Sequence, residues 1–331
     1  MDIKSSWKEK GYVDEPVPAG IDLRTEIDRL RRERNAVILA HYYTEGCLQD
    51  LADFVGDSLA LAQKAARTEA DVIVMCGVHF MGETCKILCP GKTVIVPDLN
   101  ASCSLAESCP ADSFEAFVKA HPGHTVVSYV NTSAAVKALT DIVVTSGNAR
   151  QIVESLPADT PVLFGPDRNL GAYISSVTGR QMVLWDGACH VHERFSAGKL
   201  AELRRRHPGA KVLVHPECKG EVVAQADVVG STAALLKYAR ESDARTFLVV
   251  TESGILHEMR RLCPDKEFIP VPPDEPGCAC NECAYMRLIT LEKLYNSLRY
   301  LWPVVEVPAE VAARAVKPIE RMLDISARLG L

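Results

Sequence analysis

The chain is 331 residues long, with 47% hydrophobic and 24% charged residues, a composition typical of a globular protein whose length favours two or three small domains over a single core. Its 37 basic and 43 acidic residues give a formal net charge of −6, and without a Lys/Arg run or basic stripe the sequence argues against nucleic acid and anionic membranes as partners. The polar start and the absence of an apolar run of about 18 residues predict neither a signal peptide nor a membrane span, so we expect a cytoplasmic protein.

From its N-terminus the chain predicts a loose arm over residues 1–20 and then one pattern that occurs three times. Each copy begins with a buried strand, in "AVILAHYY", "TVVSYVN" and "KVLVHPE", that ends on a ring residue. Roughly twelve residues later an aspartate opens a short apolar strand, and roughly five residues after that a hydroxyl marks a helix start. In chain order these residues are His41, Asp53 and Ser58, then Tyr129, Asp141 and Ser146, then His215, Asp227 and Thr232. The period is about 87 residues, which indicates three copies of one structural unit.

The second half of each copy repeats as well, with a third strand, a helix and a fourth strand before a closing cysteine. The third strands are "DVIVMCG", "PVLFGP" and "TFLVVTE". Strands that alternate with helices predict parallel sheets with right-handed crossovers. We therefore predict an α/β fold of three homologous α/β/α domains, related by a pseudo-threefold around a central cleft. The predicted domains span residues 20–120, 121–205 and 206–306, and a C-terminal helical tail, 307–331, is expected to break at Pro318.

The chain contains twelve cysteines. Because we expect a cytoplasmic, reducing environment, these cysteines are not expected to form a framework of disulfides. Cys76 and Cys85 lie in apolar segments, which predicts small buried side chains. Ligands gather at the carboxyl ends of parallel strands, so the cysteines that close the three copies are expected to supply one ligand each to a shared site. These closing cysteines are Cys103, Cys189 and the cluster Cys278, Cys280 and Cys283.

Three thiolates from separate domains fit a [4Fe–4S] cluster in which one iron lacks a protein ligand and can act as a Lewis acid. Two alternatives stay open at this point. Zinc takes three cysteines with a histidine or water, and His190 and His192 stand beside Cys189. The tight spacing at 278–283 also suits a labile thiol pair.

The helix starts in "GDSL", "TSGNA" and "GSTAA" indicate an anionic substrate, because N–H groups and the helix dipole at such positions bind phosphate or carboxylate. The simpler alternative for each motif is a helix N-cap. Neither a dinucleotide motif nor a P-loop is present in the sequence, so a nucleotide is not the expected anion. Groups that can move protons stand at the ends of the first strands: His41, Tyr43, Tyr129, His215 and Glu217.

From about residue 21 onward the chain resembles the quinolinate synthase family of de novo NAD biosynthesis, through "ILAHYY", "VGDSLALA", "PDLNASCSLA", "WDGACHVHERF", "HPEC", "VGSTA" and "CAYMRLITLEKLY". The resemblance implies three α/β/α domains around a [4Fe–4S] cluster. It also implies that iminoaspartate and dihydroxyacetone phosphate condense to quinolinate with loss of phosphate and water. The implied cluster ligands are Cys103, Cys189 and Cys283, the last because the family's ligand directly precedes an x-aromatic-Met step, here "CAYM".

The resemblance also implies roles for individual residues. His41 and His215 would bind polar groups of the substrate, and Tyr43, Tyr129 and Glu217 would shape the pocket and move protons. Carboxylate and phosphate oxygens would be held by Ser58, Asn131, Ser146, Ser231 and Thr232. Cys278 and Cys280 become redox-sensitive neighbours that are not ligands. Many members read "LNTLEKL" where this chain has "LITLEKL", and we expect Ile289 to change local packing only.

The implied partners are the two small substrates and, in transient contact, the enzyme that makes iminoaspartate.

Three other interpretations of the function remain: an aconitase-like hydratase, a diphthamide-synthesis protein that cleaves S-adenosylmethionine, and an iron–sulfur sensor or scaffold. The combination of "HYY", "SYVN" and "HPEC" favours the quinolinate synthase family over the other enzymes. A sensor has no need of three anion sites.

Overall fold

The computed structural model of the protein describes residues 4–274 and 281–331, so Cys278 and Cys280 lie outside the described residues. It contains three parallel, four-stranded sheets flanked by helices, which confirms the predicted α/β class. In the described ranges, no helix is both long enough and apolar enough to cross a membrane.

The chain forms two compact units. The first unit consists of Met1–Cys103 with Ala284–Val316, and the second of Ser104–Cys283 with Lys317–Leu331. The first unit contains one sheet and the second unit contains the other two. The domain boundaries and the threefold arrangement expected from the sequence stay predictions.

The first sheet alternates short apolar strands with helices. Its strands are β1 (Ala36–His41), β2 (Phe54–Gly56), β3 (Val72–Cys76) and β4 (Thr93–Ile95). They pair in the order β2-β1-β3-β4, all parallel. Every residue of β1 and β3 is buried, as expected of strands covered on both faces. The helices in this part of the chain are α1 (Ser5–Lys10), α2 (Leu23–Glu33), α3 (Gly46–Gln49), α4 (Ser58–Arg67) and α5 (His79–Leu88).

The second and third sheets follow the same plan. The second has β5 (Thr125–Tyr129), β6 (Ile142–Val144), β7 (Val162–Gly165) and β8 (Met182–Leu184), in the order β6-β5-β7-β8. The third has β9 (Lys211–Val214), β10 (Val228–Val229), β11 (Thr246–Val250) and β12 (Glu267–Pro270), in the order β10-β9-β11-β12. All three sheets therefore place their strands in the sequence second, first, third and fourth, as a true repeat requires.

Helices connect these strands and close the chain. Those between β4 and β8 are α6 (Ser104–Glu107), α7 (Ala111–Lys119), α8 (Ala134–Lys137), α9 (Ala149–Ser155) and α10 (Arg168–Thr178). A 3₁₀ helix, His192–Arg194, precedes the third repeat with α11 (Ala197–Arg206), α12 (Gly220–Val223), α13 (Thr232–Glu241) and α14 (Ile255–Leu262). A second 3₁₀ helix, Met286–Leu288, leads into α15 (Leu291–Tyr300) and α16 (Ala309–Leu329).

The repeated aspartate joins the first two strands of each sheet in the same way. Its Oδ2 atom accepts the N–H of a residue near the start of the first strand, and its own N–H donates to the carbonyl of that residue. The pairs are Asp53 with Ile38 (2.8 and 2.9 Å), Asp141 with Val126 (2.8 and 2.9 Å) and Asp227 with Val212 (2.9 and 3.0 Å). The constant spacing between the first strand and the aspartate therefore reflects the pairing of the first two strands in each sheet.

The first residues are not the loose arm that the sequence predicted. Trp7 is buried, and its ring lies 4.9 Å from that of Tyr300. The carbonyl of Gly11 accepts the N–H of Leu99 at 2.9 Å. The buried Trp7 ring and the backbone hydrogen bond at Gly11 therefore attach this segment to the rest of the first unit.

The expected break at Pro318 is also wrong, because α16 continues through it. Interrupting a helix with proline costs about 3 kcal/mol. A stripe of apolar side chains at helical spacing is buried around this position, and burial of each larger one contributes about 2 kcal/mol. The stripe consists of Ala315, Ile319, Met322 and Ile325. Together they outweigh the proline.

We predict that Asp227→Asn destabilises the protein by about 1 kcal/mol at pH 7, because Asp227 accepts hydrogen bonds from Val212 N and Lys211 Nζ. Burial alone would raise the pKa of Asp227, but these bonds outweigh it and lower the pKa. A lowered pKa stabilises the folded state above the unfolded-state value of about 3.9, and this contribution is lost as the pH falls through the folded-state pKa. The difference between wild type and variant should therefore shrink below about pH 4, as measured by urea midpoints at pH 7 and pH 3.

The matched control is Asp243→Asn, an exposed aspartate of the same repeat. It should leave the midpoint unchanged at both pH values. An Asp227→Asn deficit that is the same at both pH values would show that the charge does not contribute.

Candidate active site

The second unit brings together the carboxyl ends of two strands from different repeats. Tyr129 is the last residue of β5, and Glu217 lies three residues beyond the end of β9. The Tyr129 hydroxyl donates to Glu217 Oε1 at 2.5 Å, and both side chains are buried. His215, which directly follows β9, is buried beside them, and its Nδ1 lies 3.8 Å from Glu217 Oε1.

His192 is the site residue that the sequence analysis undervalued, since it was considered only as a zinc ligand. Its Nδ1 lies 2.9 Å from Glu217 Oε2 and 3.3 Å from Cys189 Sγ. Its ring stacks on that of His215 at 4.6 Å. The sequence feature that could have identified His192 as a site residue is its position three residues after a closing cysteine. It also begins a 3₁₀ helix, which sequence patterns do not reveal.

Three of these groups can hold a metal ion. The ligand atoms of Cys189, His192 and Glu217 all lie within 4.8 Å of one another. Thiolate, imidazole and carboxylate together suit zinc or iron. Side chains that orient metal ligands are in place too: Thr251 Oγ1 lies 2.9 Å from His192 Nε2, and Tyr129 bonds to Glu217.

The charges in this cluster drive two buried carboxyl groups in opposite directions. Burial opposes ionisation of Glu217, but His192, His215 and the hydroxyl of Tyr129 outweigh it and lower its pKa. Burial raises the pKa of Asp167 well above its ordinary value, and the charge of Glu217 adds to that rise. Two carboxyl groups whose pKa values are driven apart are typical of acid–base sites.

Two of the predicted cysteine ligands are anchored through their backbones in this unit. The N–H of Cys189 donates to Asp167 Oδ2 at 3.2 Å, and that of Cys283 donates to Glu252 Oε1 at 3.1 Å. Asn281 Nδ2 also donates to the carbonyl of Val191 at 3.0 Å, which ties the segment of Cys283 to that of Cys189. Both thiols are half-buried.

The hydroxyls predicted to bind anions occupy different positions at their helices. Ser231 is the N-cap of α13 and accepts the N–H of Ala234 at 3.3 Å, and Thr232 is the first helical residue. Ser146 lies in the turn before α9, whose N-cap is Asn148. The turn packs near Ser231, since a Cβ on Gly147 would lie 3.4 Å from Ser231 Oγ.

Asn131 follows β5 and is half-buried. Its Oδ1 atom is fully buried and accepts no hydrogen bond from any described residue. A buried acceptor without a partner costs free energy, so this atom indicates a place where a ligand donor binds.

The remaining predicted residues belong to the first unit. His41 ends β1, and its Nδ1 accepts the N–H of Tyr43 at 3.1 Å, with the two rings 4.5 Å apart. Ser58 is the first residue of α4, but Asp57 is the residue that caps this helix. Cys103 follows β4.

Known proteins resemble this chain over nearly all of its length. A family model described as quinolinate synthetase A protein matches residues 25–324. The quinolinate synthase of Thermosynechococcus vestitus is 56% identical over 93% of this chain and 97% of its own length. Those of a Synechococcus strain and of Nostoc punctiforme are 55% and 54% identical, over 92% of this chain and 96% and 94% of their own lengths.

Thiol reactivity tests the burial pattern of the cysteines. Burial raises the pKa values of Cys76 and Cys109 to about 12, so very little thiolate exists at pH 8. We expect iodoacetamide to label Cys189 and Cys283 in metal-free protein at least about tenfold faster than these two, as followed by peptide mass spectrometry. In urea all four should react alike. Labelling of Cys109 as fast as Cys189 in the folded protein would contradict the structure.

Proposed function

The chain belongs to the quinolinate synthetase A family, and on that basis we propose that it is a quinolinate synthase. The proposed reaction condenses iminoaspartate with dihydroxyacetone phosphate. By atom balance, ring closure to quinolinate releases one phosphate and two water molecules. The observation that carries the proposal is the buried connection from Tyr129 through Glu217 and His192 to Cys189.

We further propose that Cys103, Cys189 and Cys283 hold a [4Fe–4S] cluster. The donor set is suitable, because cysteine thiolates are the usual ligands of such clusters and the two thiols of the second unit stand on anchored backbone. Ser104, which follows Cys103 in the chain, accepts the N–H of His190 at 3.1 Å. When bound, the cluster would supply a Lewis acid for substrate oxygens through an iron without a protein ligand.

Tyr129 and Glu217 are the proposed proton-transfer pair. The lowered pKa of Glu217 keeps it ionised, and its short hydrogen bond to the tyrosine hydroxyl provides a path for a proton. His192 and His215 stabilise the carboxylate when they are charged. The burial of all four side chains excludes water, which protects an imine from hydrolysis.

Anionic groups of the substrates would be held by the strand-end and helix-start residues. In the second unit these are Asn131, Ser146, Ser231 and Thr232, and in the first unit His41, Tyr43 and Ser58 are proposed to do the same. The instability of the imine also supports transient contact with the enzyme that makes it. Cys278 and Cys280 lie outside the described ranges, so their role as redox-sensitive neighbours of the cluster stays a prediction.

The central test is quinolinate formation by protein reconstituted anaerobically with iron and sulfide. Iminoaspartate is supplied from oxaloacetate and ammonia together with dihydroxyacetone phosphate, and the product is measured by chromatography. We predict that Cys103→Ser, Cys189→Ser and Cys283→Ser each lose the visible absorption of the cluster and the activity, because one ligand is removed.

The matched control is Cys263→Ser. Cys263 is buried at the end of α14, next to the start of β12 and so at the opposite edge of the third sheet from the site. It should keep both absorption and activity. A full cluster in any of the first three variants would overturn that ligand, and no quinolinate from reconstituted wild type would overturn the function.

A second prediction concerns the proton-transfer pair. Tyr129→Phe and Glu217→Gln should lower kcat by about 10²- to 10⁴-fold, because each removes a proton donor or acceptor. Iron and sulfide content should be unchanged in Tyr129→Phe. Tyr173→Phe, in α10 of the same repeat, is the control and should behave as wild type. A Tyr129→Phe variant with wild-type kcat would show that the hydroxyl transfers no proton.

A further inference from the structure

A fully buried lysine holds the loop that carries Asn131. Lys137 is the last residue of α8 and has no exposed surface. Its Nζ donates to the carbonyls of Val130 at 2.8 Å and Thr132 at 2.5 Å. These carbonyls flank Asn131 on both sides, so the ammonium lies directly against the backbone of a proposed binding residue.

The first repeat contains the same arrangement with an uncharged donor. Gln49 is the last residue of α3, the counterpart of α8. Its Nε2 donates to the carbonyls of Tyr42 at 3.0 Å and Thr44 at 2.8 Å. These carbonyls flank Tyr43, which is again a proposed site residue. Two copies of one contact pattern around the same loop position indicate a shared purpose, to fix the residue between the two carbonyls.

The third repeat meets the same need in another way. Val223 ends the corresponding helix, α12, and has no side-chain donor. The loop residue here is Glu217, whose carbonyl accepts Asn169 Nδ2 at 3.1 Å. Among the described residues, the clamp from the short helix is therefore found in the first and second repeats.

The comparison separates the hydrogen bonds of Lys137 from its charge. Gln49 shows that a neutral amide is enough to hold two carbonyls. A buried ammonium is costly to desolvate, so its use in the second repeat calls for a further reason. Beside it, Asn131 presents a buried Oδ1 without a partner in the described chain. A ligand bound at Asn131 would supply an O–H or N–H donor to this atom, and a negative charge on that ligand would be attracted by the buried ammonium.

We propose that Lys137 is a positioning residue that also sets affinity for an anionic substrate at Asn131. Its two hydrogen bonds fix the loop at 130–132, and its positive charge attracts a carboxylate or phosphate bound there. This inference rests on the proposed function. Both proposed substrates have the required chemistry, since the triose phosphate has a hydroxyl and the imino diacid has an N–H.

The test replaces Lys137 in two ways. Lys137→Gln copies the first repeat and should keep the clamp while it removes the charge. Lys137→Met removes both. For Lys137→Gln we expect an unchanged melting temperature, kcat within about threefold of wild type and a KM raised about tenfold for one substrate. For Lys137→Met, kcat should fall as well, because the loop is released. Lys119→Gln, an exposed lysine on α7, is the control that should change nothing.

The substrate whose KM rises identifies the bound group. A rise for dihydroxyacetone phosphate assigns the triose phosphate to Asn131, and a rise for iminoaspartate assigns the diacid. Asn131→Ala, a change in a loop, should raise the KM of the same substrate. This variant keeps the inference testable if the lysine variants do not fold.

Several outcomes would overturn the inference. If Lys137→Gln is folded and active and both KM values are unchanged, the charge of Lys137 does not affect substrate binding. If Lys137→Met is folded and has the kcat and KM values of wild type, Lys137 does not position the loop. Unchanged KM values in Asn131→Ala would show that Asn131 does not bind a substrate. Each of these requires active wild type, whereas wild type that makes no quinolinate refutes the proposed function itself.

Discussion

The buried charge of Glu217 is the constraint on which the second unit depends. An ionised carboxylate inside a protein must be paired and hydrogen-bonded, or it is neutralised or the fold is destabilised. Here its partners come from two directions: Tyr129 from the second sheet, and His192 from the segment that leads into the third repeat. To supply them, the carboxyl ends of β5 and β9 must meet. The requirement that places a reactive carboxylate therefore also holds two repeats together.

The three repeats keep one frame and change the residues at the strand ends. The aspartate that pairs the first two strands has the same contacts in every copy, so this part of the frame is common to the three repeats. At the end of the first strand the ring residue is His41, Tyr129 or His215, and two positions later stand Tyr43, Asn131 and Glu217. Parallel sheets present such positions at one edge, where side chains can change without loss of strand pairing. The three repeats therefore present different reactive side chains at equivalent positions of the same sheet.

Support for the cysteine-bearing segments comes from residues far away in the sequence. In the first unit, Lys293 of the "TLEKLY" motif pairs with buried Asp98 and lies 4.3 Å over the ring of Tyr12. Asp98 in turn accepts the N–H of Asn100 at 2.8 Å, within the segment that leads to Cys103. A motif with no evident chemistry thus acts by holding a loop. The N-terminal segment contributes to the same network through the ring of Tyr12 and the carbonyl of Lys10, which accepts Asn100 Nδ2 at 2.6 Å.

The sequence by itself determined the α/β class, the three copies, most strand and helix positions and the buried Cys76 and Cys85, because these follow from local periodicity and from spacings within one repeat. It misjudged the N-terminal arm and Pro318, where burial against distant partners outweighs local preference. Only the tertiary structure decided that His192 lies against Glu217, that Asp57 and not Ser58 caps α4, and that Lys137 clamps the loop of Asn131. Tyr129 and Glu217 are 88 residues apart. Contacts of this kind arise when buried charges and donors find partners in the folded chain, and no local pattern of residues specifies them.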